Sequence, residues 1–444
     1  MQLEKHQIKA LEKLKSHESM ALFYKMGSGK TLVVLEYLRQ EKPKSFLVVA
    51  PKYVCDSWEA EIKKWGYEFS YANLAGRTAT QRAKLLAKKH NGYFTTPDSL
   101  GWLLKQRDTF ITIIVDEASM FKNTSSIRWK NLKKFTYAQM ILLTGTPTPN
   151  GLHEVYSLVK LISNIWAAKS AFLTKYFKAR TMGHIVVGYD PIDTHVKKLI
   201  FDEIKDLALV HEGVKHDVKH IEIPIVMDTK TEKTYKTLND DLIIEHADGC
   251  VGALSKAHLL SLARRLTSGY VYDWAGTERM KYPLNSLKLD ALLSFITNNS
   301  SENMIIWYEW RATKEDIKNL LEKHSIQYTL DDIEGWNEGK YQVFLANPRS
   351  YGYGMNMQRG GRVMVWYDLT FSSEVYEQAN ARLARTGQTQ QVLIYHMVAK
   401  NTIDEYVMYK LKRKILNQEE FLKQWISVNI KEPKKLKPAK WVGL

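Results

Sequence analysis

Phe23–Leu38 reads FYKMGSGKTLVVLEYL, and the rest of the chain is organised around it. A short apolar run ends in Gly27-Ser28-Gly29-Lys30-Thr31, and an amphipathic apolar stretch follows at once. That is the order of a strand, a phosphate-gripping loop and a helix N-terminus. Glycines let the backbone curl until its N–H groups face a polyphosphate, and the helix dipole adds positive potential there. In this pattern Lys30 reaches the β/γ-phosphates and the Thr31 hydroxyl holds Mg²⁺. The full pattern is G-x-x-x-x-G-K-[ST], and Tyr24 stands where its first glycine would be. An ordinary strand-to-helix turn would read much the same, so the remaining sequence has to decide.

With 444 residues the chain is long enough for two or three domains, each with its own core. Hydrophobic content of 45% and charged content of 25% are ordinary for a soluble globular protein. The formal net charge of +16 is not; it points to a polyanionic partner, nucleic acid ahead of acidic lipid. Only Cys55 and Cys250 are present, in no C-x-x-C pair, which excludes a disulfide framework or zinc ribbon and suits a reducing cytosol. The N-terminal MQLEKHQIKALEKLK is amphipathic and charged, unlike a secretory signal. Apolar runs such as Phe46–Ala50 and Ile111–Val115 are too short to span a bilayer. A cytoplasmic protein without membrane segments is expected.

Apolar spacing predicts an opening helix over 2–16. FLVVA at 46–50 reads as a buried strand stopped by Pro51, followed by a helix over 56–65 with Asp56 as N-cap. A basic helix at 78–90 and a short strand at Tyr93–Phe94 follow. Ile111–Val115 is the most strand-like run, closing in Asp116-Glu117, and Met140–Leu143 repeats the pattern before Thr144-Gly145-Thr146-Pro147. Continuous apolar strands separated by helices, with polar residues at their carboxyl ends, describe a parallel α/β sheet whose ligands bind beyond those ends.

After Gly151 the texture changes. Residues 152–178 read as helical, a hairpin is expected at His184–Tyr189, and 194–210 read as helical again. Ile221–Met227 reads as a strand, with helices at 230–245 and 254–268. A second α/β pattern begins near Ser286: helix 287–297, strand Met304–Tyr308, helix 312–323, strands Val343–Ala346 and Val363–Tyr367, helix 373–386, strand Val392–Met397 and helix 402–416. The expected division is 1–164, a first α/β region; 165–283, a mostly helical insertion; 284–409, a second α/β region; and 410–444, a helix and basic tail. That tail, from Lys410, holds ten Lys/Arg against three acidic residues.

Asp116-Glu117 closing so apolar a strand is the natural partner of Lys30-Thr31. One carboxylate there holds Mg²⁺ through its waters, and its neighbour polarises a water against the γ-phosphate. The series LEKHQ (Gln7), MGSGKT, VVAPKYVCDSW, IIVDEAS, LLTGTPTPNG, SYGYGMNMQ and EQANARLARTGQ, in this order, resembles the motifs of superfamily 2 helicases and translocases, specifically the Swi/Snf family and its compact phage and prophage members. The resemblance covers most of residues 3–410. It implies two RecA-like parallel-sheet lobes in tandem, α/β in class, with ATP and Mg²⁺ between them.

By that resemblance Gln7 reads the adenine edge, and Tyr24 is a family trait, since this superfamily does not demand the first glycine. Gly27, Ser28, Gly29, Lys30 and Thr31 hold the phosphates; Thr31 and Asp116 hold the metal. Ser119 stands where many relatives have His. Thr144-Gly145-Thr146 matches the motif that couples nucleotide state to lobe closure. Arg382 and Arg385, three apart and so on one face of the expected helix, are implied to reach the γ-phosphate; guanidinium groups bind phosphate oxygens in a fork. Gln378 and Gly354 fall on the nucleotide side, and Gly354, Asn356 and Gln358 lie in a segment implied to touch nucleotide and nucleic-acid backbone. The stretch LALVHEGVKHDV occupies the place of a family segment with paired arginines, absent here.

Lys52, Arg77, Lys122 and Arg128 are further candidates for phosphate contacts, which position a nucleic acid without reading its bases. His211, His216 and His220 do not have the H-E-x-x-H spacing of a zinc site. The expectation is an ATP hydrolase that moves as a monomer on duplex or branched DNA, with RNA as a lesser possibility, in fork remodelling or branch migration. Its rivals are a strand-separating helicase, a non-motor P-loop enzyme such as a nucleotide kinase, and a silent nucleic-acid-binding module.

Overall fold

The apolar runs at 46–49, 113–115, 140–143, 304–307, 343–346 and 363–366 all become strands of two parallel sheets. The computed structural model describes residues 3–429 apart from 183, 214, 215, 248, 276, 277, 352–355 and 386. It separates into two units whose main stretches are Met1–Lys215 and His216–Arg413. No helix among the described residues is long and apolar enough to cross a membrane.

The first unit holds β1 (Ser19–Tyr24), β2 (Phe46–Val49), β3 (Tyr71–Asn73), β4 (Gly92–Thr95), β5 (Thr109–Asp116) and β6 (Thr136–Leu143). A hairpin of β7 (Phe177–Met182) and β8 (Ile185–Pro191) follows, then β9 (Ala208–His211). Seven of these form one sheet in the order β3-β4-β2-β5-β6-β1-β9, and all its pairings are parallel. Its central strands are buried on both faces, as continuous apolar sequence requires. The opening helix, Lys5–Ser16, is tied to β6 by Gln139, whose Nε2 donates to the carbonyls of Leu14 and His17 at 2.8 and 2.9 Å.

Three local readings change. The helix expected at 56–65 starts at Lys52, with Pro51 in the N-cap position; Asp56 therefore lies inside it and accepts from Asn73 Nδ2 at 3.2 Å instead of capping. The helical stretch at 152–178 is broken into Val155–Ile162 and Lys169–Tyr176. The helix read over 194–210 ends at Ile204, and Ala208–His211 joins the sheet beside β1.

The second unit opens with β10 (Val218–Ile225) and the helix Thr229–Asp241. Two hairpins follow, β11 (Ile243–His246) with β12 (Gly249–Gly252) and β13 (Tyr270–Ala275) with β14 (Glu278–Pro283), on either side of the helix Lys256–Thr267. Then come β15 (Met304–Trp307), β16 (Tyr328–Thr329), β17 (Val343–Ala346), β18 (Val363–Trp366) and β19 (Val392–Ala399). Six strands form the sheet β10-β19-β18-β15-β17-β16, again wholly parallel. Residues 165–283 are thus shared between the units: β9 belongs to the first sheet, β10 to the second, and eight strands accompany the helices. The last helix runs Ile403–Asn429; the rest of the expected tail, 430–444, is outside the described residues.

Candidate nucleotide site

Strands β5, β6 and β1 are neighbours, and each ends in one of the polar segments singled out above. Beyond β1 come Gly27–Thr31, beyond β5 Glu117, and beyond β6 Thr144–Thr146. Parallel pairing sends all three carboxyl ends the same way, so the sheet gathers these segments at one edge.

The loop after β1 needs its glycines. Gly27 and Gly29 have φ of +78° and +71°, the left-handed region that side chains rarely adopt. A Cβ on Gly29 would also collide with the Gln7 amide. Gln7 is buried; its Oε1 accepts from Glu4 N–H at 2.9 Å, and its Nε2 donates to Ser28 O at 3.4 Å. Lys30 opens the helix Lys30–Glu41, and its Nζ donates to the carbonyls of Tyr24 and Lys25 at 2.7 and 3.4 Å, beneath the loop. Burial lowers the Lys30 pKa, while the Glu117 and Asp116 carboxylates work against that shift.

Asp116 is the last residue of β5 and is buried. Its Oδ2 accepts from Trp58 Nε1 at 2.9 Å and its Oδ1 from Glu117 N–H at 3.0 Å. Burial raises its pKa, and the Trp58 bond, the Lys30 charge and the Glu117 N–H each hold it down. Glu117 has φ 59° and ψ 53°, a left-handed conformation in which a residue with a Cβ is strained. Ser119 is fully buried and its carbonyl accepts from Lys122 N–H at 3.2 Å. Thr144 Oγ1 accepts from Thr146 N–H at 3.0 Å, and a Cβ on Gly145 would lie 3.4 Å from Tyr24 O and 3.5 Å from Met26 N. The Thr144–Thr146 segment therefore lies directly against the loop that follows β1.

These residues fit a nucleotide and its metal. Ser28 Oγ and Thr146 Oγ1 are buried with no hydrogen-bond partner among the described residues, a costly arrangement unless a ligand completes it. Trp58, which seats Asp116, lies inside the helix expected at 56–65, but its bond to a residue 58 positions away leaves no mark in the spacing of that helix.

In the second unit the helix expected over 373–386 is Ser373–Asn380. Arg382 and Arg385 follow it in turns, so they do not share a helical face. Arg382 is buried, its Nε donating to Gln378 O at 3.1 Å, and Arg385 is half-buried. Gln378 is 1% exposed, and neither of its amide atoms has a partner among the described residues. Gln388 Nε2 donates to the carbonyls of Gln358 and Gly361, both at 3.1 Å, and Asn356 O accepts from Asn337 Nδ2 at 2.8 Å. Gly354 lies outside the described residues.

Of the four other cations, Lys52 folds across Gly76, where a Cβ would come within 2.7 Å of its Cε, and so lies next to Arg77. Lys122 is half-buried beside the Asp116-Glu117 turn. Arg128 is partly exposed, and its Nε and Nη2 pair with the two oxygens of Asp98 at 2.6 and 3.0 Å.

The model of the SNF2-related domain family matches residues 5–268, more than half the chain. Protein p41 of Acyrthosiphon pisum secondary endosymbiont phage 1 is 28% identical over 88% of this chain and 91% of its own length. The ISWI chromatin-remodeling complex ATPase ISW1 of Saccharomyces cerevisiae is 26% identical over 88% of this chain, which spans only 37% of that relative. Among solved structures, the Sulfolobus solfataricus SWI2/SNF2 ATPase core matches with a TM-score of 0.45 at 16% identity, covering 97% of this chain and 95% of the other. With Gly27–Thr31, Asp116-Glu117 and Thr144–Thr146 all inside the matched span, the chain belongs to the SNF2-related family of Swi/Snf-like ATP hydrolases of superfamily 2.

Proposed function

We propose that this protein couples ATP hydrolysis to movement along DNA, duplex or branched, in the cytoplasm of a bacterium or a phage-infected host. The observation that carries this reading is the meeting of Gly27–Thr31, Asp116-Glu117 and Thr144–Thr146 at three adjacent strand ends of an SNF2-related chain. The strong positive charge supports a nucleic-acid track, and the ISW1 relative, a chromatin-remodelling ATPase by name, favours DNA.

The loop N–H groups from Gly27 to Thr31 and the Lys30 ammonium bind the triphosphate, and Gln7 accepts or donates at the base. Thr31 and Asp116 would hold Mg²⁺, whose chemistry is to neutralise phosphate charge during transfer. Glu117 orients the attacking water. By the family resemblance Arg382 and Arg385 would offer guanidinium groups to the γ-phosphate, a contribution of ~10³–10⁵ in rate in comparable enzymes, and Gln378 would offer its amide to the nucleotide. Thr144–Thr146, lying on the loop, report phosphate occupancy to the rest of the fold. Lys52, Arg77, Lys122, Asn356 and Gln358 grip backbone phosphates. Each turnover then gates one cycle of opening and closing, suited to fork remodelling or branch migration.

The decisive experiment measures ATP turnover with single-stranded, duplex and branched DNA and with RNA, beside triplex displacement and fork unwinding. Turnover stimulated by duplex or branched DNA, with triplex displacement and no unwinding of a simple fork, is expected. Lys30→Ala or Glu117→Gln should abolish turnover and leave most DNA binding. Turnover indifferent to nucleic acid would sink the motor reading in favour of a P-loop enzyme of another kind, and unwinding without triplex displacement would make it a strand-separating helicase.

A further inference from the structure

Strand β9 ends at His211, and the chain passes into the second unit shortly beyond it. Before leaving, this segment is fastened to the phosphate loop. His211 O accepts from Lys25 N–H at 3.0 Å. The His211 imidazole stacks on that of His6, with centroids 3.8 Å apart and planes 10° from parallel. Tyr24 tilts against both rings, at 5.6 and 5.5 Å. His6 in turn places Nε2 3.0 Å from Ser28 O, the carbonyl that Gln7 also meets. A Cβ on Gly213 would come within 3.1 Å of Ser28 Oγ and 3.2 Å of Lys25 Cβ.

The geometry has a consequence for binding. A peptide unit is planar and trans, so its carbonyl and the next N–H point in opposite directions. Holding Ser28 O toward His6 therefore turns the Gly29 N–H the other way, and a loop that binds phosphate depends on the direction of its N–H groups. We infer that His211 is a positioning residue for the phosphate loop: its ring clamps His6 on the Ser28 carbonyl, so that the segment leading into the second unit helps to set the N–H array that receives a nucleoside triphosphate. This rests on the reading of that loop as the ATP site.

The clamp is made of two titratable rings. Facing them are Glu4, whose carboxylate is 3.3 Å from His6 Nδ1, Tyr24 and Lys25 from β1 and the loop, and Glu212 beside His211. Burial and then the His6 ring lower the His211 pKa, with Glu4 and Glu212 opposing. His211 is thus neutral at ordinary pH. Acidification that charges His211 sets a cation against the His6 ring and beside Lys25, which loosens the clamp, so nucleotide affinity falls on the acid side.

The test is equilibrium binding of a fluorescent ATP analogue, with KM and kcat for ATP, from mildly acidic to mildly alkaline pH. His211→Ala should raise both the dissociation constant and KM about three- to tenfold, as loss of one oriented hydrogen bond does, with kcat nearly unchanged. His211→Phe keeps a flat ring that cannot charge. It should restore affinity at neutral pH and remove the acid-side weakening, and it carries the test should the alanine variant not fold. An acid-side loss of affinity in His211→Phe equal to the wild type's would overturn the inference, as would an unchanged KM in His211→Ala. Failure of the wild type to bind the analogue would instead overturn the reading of the loop itself.

Discussion

The indole of Trp58 donates to Asp116 Oδ2 at 2.9 Å, and Asp116 is buried at the end of β5 with Lys30 as its nearest opposing charge. A hydrogen bond to a carboxylate favours the ionised form, so removing it raises the pKa. Burial already raises the Asp116 pKa, and in Trp58→Phe nothing from the indole opposes that shift. The acid limb of the ATPase pH profile should therefore move to higher pH in this variant. A charge-assisted bond contributes ~1.5–3 kcal/mol, so kcat/KM at neutral pH should fall about tenfold or more. A variant profile that overlies the wild type's would show that another group sets the acid limb. Sequence alone singled out Lys30, Asp116 and Glu117 as candidates, because few patterns other than phosphate chemistry place GKT and DE after two apolar strands. It did not expose Trp58, His6 or His211. Those residues act on the site through a neighbour, and such contacts leave no spacing to read.

Between the elements of the second unit a buried ion pair acts as a fastener. Lys288 Nζ lies 2.6 Å from Asp404 Oδ2 and 3.3 Å from Tyr367 O, with both charged side chains almost wholly buried. Asp404 also accepts from Ala399 N–H at 3.1 Å and from Thr267 Oγ1 at 3.3 Å. The helix Leu287–Asn298, the ends of β18 and β19, the helix Lys256–Thr267 and the start of the last helix thus meet at one point. Lys288→Met would leave the carboxylate buried without its cation, a loss of about 3–5 kcal/mol. Hydrogen exchange should then show reduced amide protection across Val392–Ala399; unchanged protection would mean that Ala399 and Thr267 suffice for Asp404. Elements of this kind were legible in proportion to their length and apolarity. Ile113–Val115 and Met304–Trp307 announce themselves, whereas Tyr71–Asn73 is three residues long and reads as a loop. Leu207 and Val210 continue the apolar spacing of the preceding helix, which hides the strand Ala208–His211 from a reading by periodicity. The spacing of Arg382 and Arg385 fits a helical interval, yet the backbone turns after Asn380 and the helix stops there.

For the whole chain, a formal charge of +16 makes ionic strength the first variable to change. If the track is bound through phosphates, the logarithm of DNA affinity should fall linearly and steeply with the logarithm of salt concentration, with little dependence on base sequence. A shallow slope with strong sequence preference would contradict it. The two-sheet plan was readable from the alternation of apolar runs and helices; the place where one unit gives way to the other was not, because β9 and β10 are close in sequence yet belong to different sheets. That arrangement has a consequence for how the protein is made. The strand that feeds the phosphate loop is flanked by β6 on one side and by β9 on the other, and β9 lies some way beyond the rest of its sheet in the chain. On the ribosome, β1 must wait for residues 208–211 before its second edge is covered, and long-range parallel pairing is intrinsically slow. A nascent chain halted near residue 164 would display an open, apolar sheet edge beside its own nucleotide loop, the kind of surface that recruits chaperones or pairs with a second copy.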